Sequence, residues 1–84
     1  MTYSLVENGN VIFESPVFWK VSEEFNKRYY SAANRYLDEL PSCRTHTMVL
    51  NNCVSAAIFD FDDRLNPKRL WTLKLYFPEV LNDK

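Results

Sequence analysis

Apolar residues recur at three- and four-residue steps through Phe18, Val21, Phe25, Tyr29, Ala32, Tyr36 and Leu40. That spacing gathers them on one stripe of an α-helix, and no other long stretch of the chain shows it. Ser15-Pro16 offers a side-chain cap followed by the residue best suited to the first helical position. Leu40-Pro41 closes the segment, because proline lacks an amide hydrogen and pushes the preceding residue out of helical geometry. The pattern predicts a helix over about 16–40. Lys20, Glu23, Glu24, Lys27, Arg28, Ser31 and Arg35 fall on its solvated side, where Glu23–Lys27 and Glu24–Arg28 stand four apart with the acid first. Trp19, Tyr30 and Leu37 fit neither side. They lie roughly 100° round from the main stripe, so two different objects are expected to pack on the helix.

The remaining segments are short and β-prone. Residues 3–14 read as a hairpin around Asn8-Gly9, the strongest short turn signal, because both central residues of a type I′ turn need positive φ. Such a turn sets Val6 opposite Val11, Leu5 opposite Ile12 and Tyr3 opposite Glu14. After Pro41, Thr45–Leu50 and Cys53–Phe61 flank Asn51-Asn52 as a second hairpin. The run from Arg69 to Phe77 alternates strictly, with Trp71, Leu73, Leu75 and Phe77 on one face and Leu70, Thr72, Lys74 and Tyr76 on the other. The tail from Pro78 to Lys84 is expected to turn or fray.

A self-consistent register pairs Val49 with Val54 and Phe59 with Trp71. It places His46, Met48, Leu50, Cys53, Ala57, Phe59 and Phe61 with Trp71, Leu73, Leu75 and Phe77 beneath the helix. Thr45, Thr47, Val49, Val54, Ala56, Ile58, Leu70, Thr72, Lys74 and Tyr76 then form the opposite face, which is too apolar for a purely solvated one. Either the N-terminal hairpin extends the sheet or covers that face, or the face meets a partner or a second copy. The expected architecture is α+β in one domain, 1–84: an N-terminal β-hairpin, one long helix, then a three-stranded antiparallel meander packed on the helix.

Composition supports a folded chain and narrows its chemistry. Hydrophobic residues make up 46%, including six Phe, five Tyr and two Trp, and each buried aromatic removes roughly 150–250 Å² from water. Ten Lys+Arg against eleven Asp+Glu give a net charge of −1. That balance suits neither a phosphate-binding surface nor an acidic mimic of nucleic acid. No apolar run is long enough to span a membrane, and the first residues lack a signal-peptide pattern. The two cysteines fall on opposite faces, so free thiols and a cytoplasmic location are expected.

Ala56-Ala57-Ile58-Phe59-Asp60-Phe61-Asp62 resembles the first motif of haloacid-dehalogenase-type phosphatases, an apolar strand ending in Asp-x-Asp. The resemblance implies Asp60 as nucleophile, Asp62 as acid/base and magnesium between carboxylates. It covers about ten residues and breaks off where the family's glycine and threonine are Asp63 and Arg64. Too little chain follows for the family's other motifs. Asp60, Asp62 and Asp63 are therefore expected to form a solvated loop or a weak cation site. His46, the only histidine, has no second imidazole and no cysteine at zinc spacing. One glycine cannot build a phosphate loop. No enzyme activity, metal or cofactor is expected.

The remaining signal is aromatic. Trp19, Tyr30 and Tyr76, with Val54 and Ile58, are the candidate partner-binding residues, because Trp and Tyr are enriched at the energetic centres of interfaces. The expected function is a small cytosolic protein that acts by occupying a partner protein's surface, in the style of phage or plasmid inhibitors and modulators. The rival expectation is nucleic-acid binding through Lys27, Arg28 and Arg35 on the helix and Arg64, Lys68 and Arg69 in the following loop. A homodimer through the apolar sheet face is the third.

Overall fold

A computed structural model describes residues 1–78, so the expectation for the tail after Pro78 lies outside the described residues. Its first hairpin joins β1 (Tyr3–Glu7) to β2 (Asn10–Ser15). Asn8 and Gly9 both have positive φ, 50° and 85°, as the tight turn demands. Val6 pairs with Val11 as expected. A bulge then makes Ile12 the extra residue, so Leu5 meets Phe13 and Tyr3 meets Ser15, not Ile12 and Glu14.

The helix α1 runs from Phe18 to Glu39 and not from Pro16. Ser15 belongs to β2, and its hydroxyl accepts the Val17 amide at 3.1 Å, turning the corner between strand and helix without capping the helix itself. Val17 takes the N-cap position in extended geometry with no side-chain cap bond. At the other end Leu40 is extended and its amide donates to the Tyr36 carbonyl, the exit expected ahead of Pro41. The apolar stripe does face the sheet: Val21 and Ala32 are buried, and Phe25, Tyr29 and Tyr36 pack on the core. Phe18 completes an aromatic group with Tyr3 and Phe77.

Strands β3 (Cys43–Val49), β4 (Cys53–Asp60) and β5 (Lys68–Tyr76) form the antiparallel meander. The N-terminal hairpin joins it through β1, which pairs with β5 at Leu5–Leu75 and Glu7–Leu73. The product is one five-stranded sheet in the order β2-β1-β5-β4-β3, with α1 on one face. Asn8 locks this joint, its amide donating to the Thr72 carbonyl and its side-chain oxygen accepting the Thr72 amide.

The β3–β4 pairing matches expectation at Val49–Val54, but the β4–β5 register is displaced by one residue. Ile58, not Phe59, opposes Trp71, and a bulge between Ile58 and Phe59 leaves Leu70 as the extra residue before Phe59 meets Arg69. A slip of one residue turns every side chain of β4, and of β3 with it, to the other face. Val54, Ala56 and Ile58 thus join Trp71, Leu73 and Leu75 beneath the helix, with Ile58, Ala56, Leu73, Leu5 and Val21 each at 0% exposure. His46, Met48, Ala57 and Phe59 move to the open face. Cys43 and Cys53 remain on opposite faces as free, buried thiols.

Candidate partner-binding surface

Trp19, Glu23, Asn26, Lys27 and Tyr30 follow one another at helical steps, so α1 presents them together on its outer side. With Phe18 and Ser22 they line a shallow groove of about 490 Å³. Its two ends are open aromatics, Trp19 at 61% and Tyr30 at 66% exposure. Lys20 Nζ lies 5.8 Å from the Trp19 ring centre, a cation–π distance. The Tyr30 ring leans on Tyr29 at 5.8 Å between centroids, and Tyr29 lies 6.5 Å from Trp71. One exposed ring is thereby keyed to a buried one. Leu37, the third member of the second stripe, is 39% exposed. The stripe thus stays exposed along its length and is not covered as the main stripe is.

The other candidate residues lie elsewhere. Ile58 is core and cannot meet a partner. Val54 is half-buried on the helix side and packs against the core. Tyr76 is half-buried on the open sheet face, beside a hollow of about 420 Å³ that Val6, Arg69, Thr72 and Lys74 also line. The five residues therefore form no single surface. Trp19 and Tyr30 come together, and Phe18, read from sequence as core, joins them at 46% exposure because it sits at the rim of the aromatic group.

The six basic residues are dispersed. Arg28 is held by two carboxylates, Nη1 3.0 Å from Glu7 Oε1 and Nε 3.2 Å from Glu24 Oε2. Lys27 Nζ stands 4.0 Å from Glu24 Oε1 instead of pairing with Glu23. Arg35 lies over the Tyr36 ring. Lys68 pairs across the strands with Asp60, and Arg69 with Phe59. Arg64 lines a separate hollow with Ser42, Arg44 and Phe61.

The aspartates close their own loop. Asp60 accepts the Ser42 hydroxyl and the Asp62 amide, while Asp63 accepts the Leu65 amide and the Asn66 side chain. The Ser42 hydrogen bond, with help from Asp62 and the charge of Lys68, holds the Asp60 carboxyl below its ordinary range. No group of three or more metal-binding side chains forms among the described residues. The strand carrying Asp60 lies between antiparallel neighbours, unlike the parallel setting that the phosphatase resemblance implies. Burial pushes the Cys43 thiol up, with Asp60 adding to the effect and Arg44 opposing it. His46 lies on the opposite face, 6.5 Å from the Phe59 ring.

A polar joint beneath the helix had no local signal in the sequence. Trp71 Nε1 donates to Glu7 Oε2 at 2.8 Å while Glu7 Oε1 holds Arg28, so one carboxylate ties β1, β5 and α1 together. No family model, curated protein or solved structure matches the chain. No helix of the described residues is long and apolar enough to cross a membrane.

Proposed function

We propose that this chain is a cytosolic protein-binding module that acts by occupying a partner protein's surface, with Trp19 and Tyr30 as its anchors. One observation carries the reading: two large aromatics stand open on one face of the helix while the main apolar stripe, roughly 100° round, already serves the core. Such rings offer large contact area at small cost in side-chain order, and interfaces concentrate their energy in residues of this kind. The groove between them is rimmed by Glu23, Asn26 and Lys27, which suits a wet, polar border around an aromatic centre. In size and style the chain is similar to phage- or plasmid-type inhibitors and modulators of host proteins.

The test is capture from a native lysate by the parent and by a Trp19→Ala/Tyr30→Ala variant, washed at low and high salt with and without nuclease. Both rings are exposed, so the variant is expected to unfold within about 0.5 kcal/mol of the parent. A stoichiometric protein retained by the parent at high salt and lost by the variant supports the reading. Equal retention by both overturns the assignment of the anchors. Recovery of nucleic acid alone, lost at high salt, puts the rival first.

A further inference from the structure

The two edges of the sheet are built differently. Natural edge strands are guarded by charges, prolines, bulges or covering elements, because unpaired backbone groups template further pairing. At the β2 edge, Ile12 forms a bulge, Glu14 supplies a charge and Pro16 follows the strand. At the β3 edge these devices are missing. All seven residues of β3 pair with β4 without a register shift, and none is proline, aspartate, glutamate or lysine. Its single charge, Arg44, is folded back onto the carbonyls of Pro41 and Cys43. Every residue from Arg44 to Val49 is exposed, Val49 at 77%, and no described element lies beyond the strand.

The hydrogen-bond phase of this edge is determined. Leu50 N donates to Cys53 O at 2.8 Å, so Leu50, Met48, His46 and Arg44 turn their backbone groups towards β4. Alternation then points the N–H and C=O of Thr45, Thr47 and Val49 outward. We propose that this edge pairs with the same edge of a second copy, antiparallel about a two-fold axis at Thr47, joining the two sheets into one. The contact is the strand edge, not the apolar sheet face from which sequence suggested a dimer.

Self-complementarity selects that axis. With the two-fold at Thr47, Thr47 faces Thr47 of the second copy and Thr45 faces its Val49. Each such pair exchanges two backbone hydrogen bonds, and β-branched side chains meet β-branched side chains. On the other face His46 meets Met48, Arg44 meets Leu50, and no charge meets its like. An axis at Thr45 would set His46 against Arg44 and would need the Cys43 amide, which already donates to the Leu40 carbonyl. An axis at Val49 would engage only the end of the hairpin. An axis at His46 would set His46 against His46 and bring Val49 opposite the spent Cys43 amide. An axis at Met48 would bring Thr45 opposite Asn51, beyond the strand. The axis at Thr47 is the one that engages all three outward-facing residues with one another.

A contact one strand long belongs at the small end of interfaces, under about 1,200 Å² in total, so the dimer is weak and concentration-dependent. Sedimentation equilibrium between roughly 1 μM and 1 mM, the affinity range of small transient contacts, should show the parent moving from one copy to two. Thr47→Lys and Thr47→Glu each set like charges face to face at the axis, on a side chain exposed in the monomer, and each alone should stay monomeric. An equimolar mixture of the two should recover the two-copy mass, because lysine then faces glutamate. Far-UV circular dichroism verifies that both variants are folded. A parent that stays monomeric throughout overturns the proposal and leaves the edge for another protein's strand. Dimeric single variants, or a mixture that stays monomeric, overturn the axis at Thr47. The Trp19→Ala/Tyr30→Ala variant should dimerise as the parent does, which separates this contact from the helix groove.

Discussion

Replacing Glu7 by alanine probes the joint at which β1, β5 and α1 meet. One carboxylate oxygen accepts Trp71 Nε1 at 2.8 Å and the other accepts Arg28 Nη1 at 3.0 Å. Trp71 is only 3% exposed, so its indole N–H loses its partner in a place water reaches poorly. An unsatisfied buried donor costs about 1–3 kcal/mol. The Arg28 side chain is 42% exposed and keeps Glu24, so its share, discounted for solvent, is about 0.2–1 kcal/mol. The total expected for Glu7→Ala is about 1.2–4 kcal/mol, and each kcal/mol lowers Tm by roughly 4–8 °C in a domain of this size. Trp71→Phe removes the donor while keeping a ring in place. In that background Glu7→Ala should cost only the arginine share, so the double-mutant cycle should show a coupling of about 1–3 kcal/mol. Urea unfolding followed by far-UV circular dichroism measures all four proteins without depending on tryptophan emission. A Glu7→Ala cost below about 0.5 kcal/mol, or strict additivity with Trp71→Phe, would refute the account of the joint.

Ile58→Ala should destabilise by about 2–5 kcal/mol in the same assay, whereas Val49→Ser should stay within about 0.5 kcal/mol, because only the first removes fully buried carbon. Equal small effects would return Ile58 to the surface. Asp60 has a lowered folded pKa, so its contribution is full above its unfolded value of about 3.9 and is lost as pH falls through the folded value. Ser42→Ala removes the main cause, so NMR titration should find Asp60 shifted upward, and parent and variant stabilities should converge at acid pH. Cys43 and Cys53 are buried, so Ellman's reagent should react with neither until denaturant is added, and fast reaction of the native protein would contradict their placement.

The helix and the strong strand β5 were legible because each shows one periodicity with a clear apolar side. The placement of β4 was not, and the reason lies in Ala56-Ala57-Ile58-Phe59. Both parities of that run are apolar, so alternation favours neither face, and the bulge at Leu70 removes the offset that loop counting assumes. One residue of error carried Ile58 and Val54 from core to imagined surface and moved His46 and Phe59 the other way. Ser15-Pro16 misled for a related reason: its hydroxyl does accept a backbone amide, but it belongs to a corner and the helix begins two residues after the proline. The exposure of Trp19 and Tyr30 on one helix face was legible because they break the helix's main stripe, a local signal. The Glu7–Trp71–Arg28 joint spans most of the chain and leaves no trace in any short window.

The strand at the centre of the sheet is the last one synthesised. β5 must insert between β1 and β4, so a ribosome that has released everything up to the loop before Lys68 holds two separate hairpins and a helix with no common sheet to dock on. Pairing Leu5 with Leu75 closes a long loop, which slows folding and postpones it until β5 has been released. Until then the open edges of β1 and β4 and the apolar side of α1 are exposed together, so the interval between translation and closure is when this protein most needs protection by a chaperone.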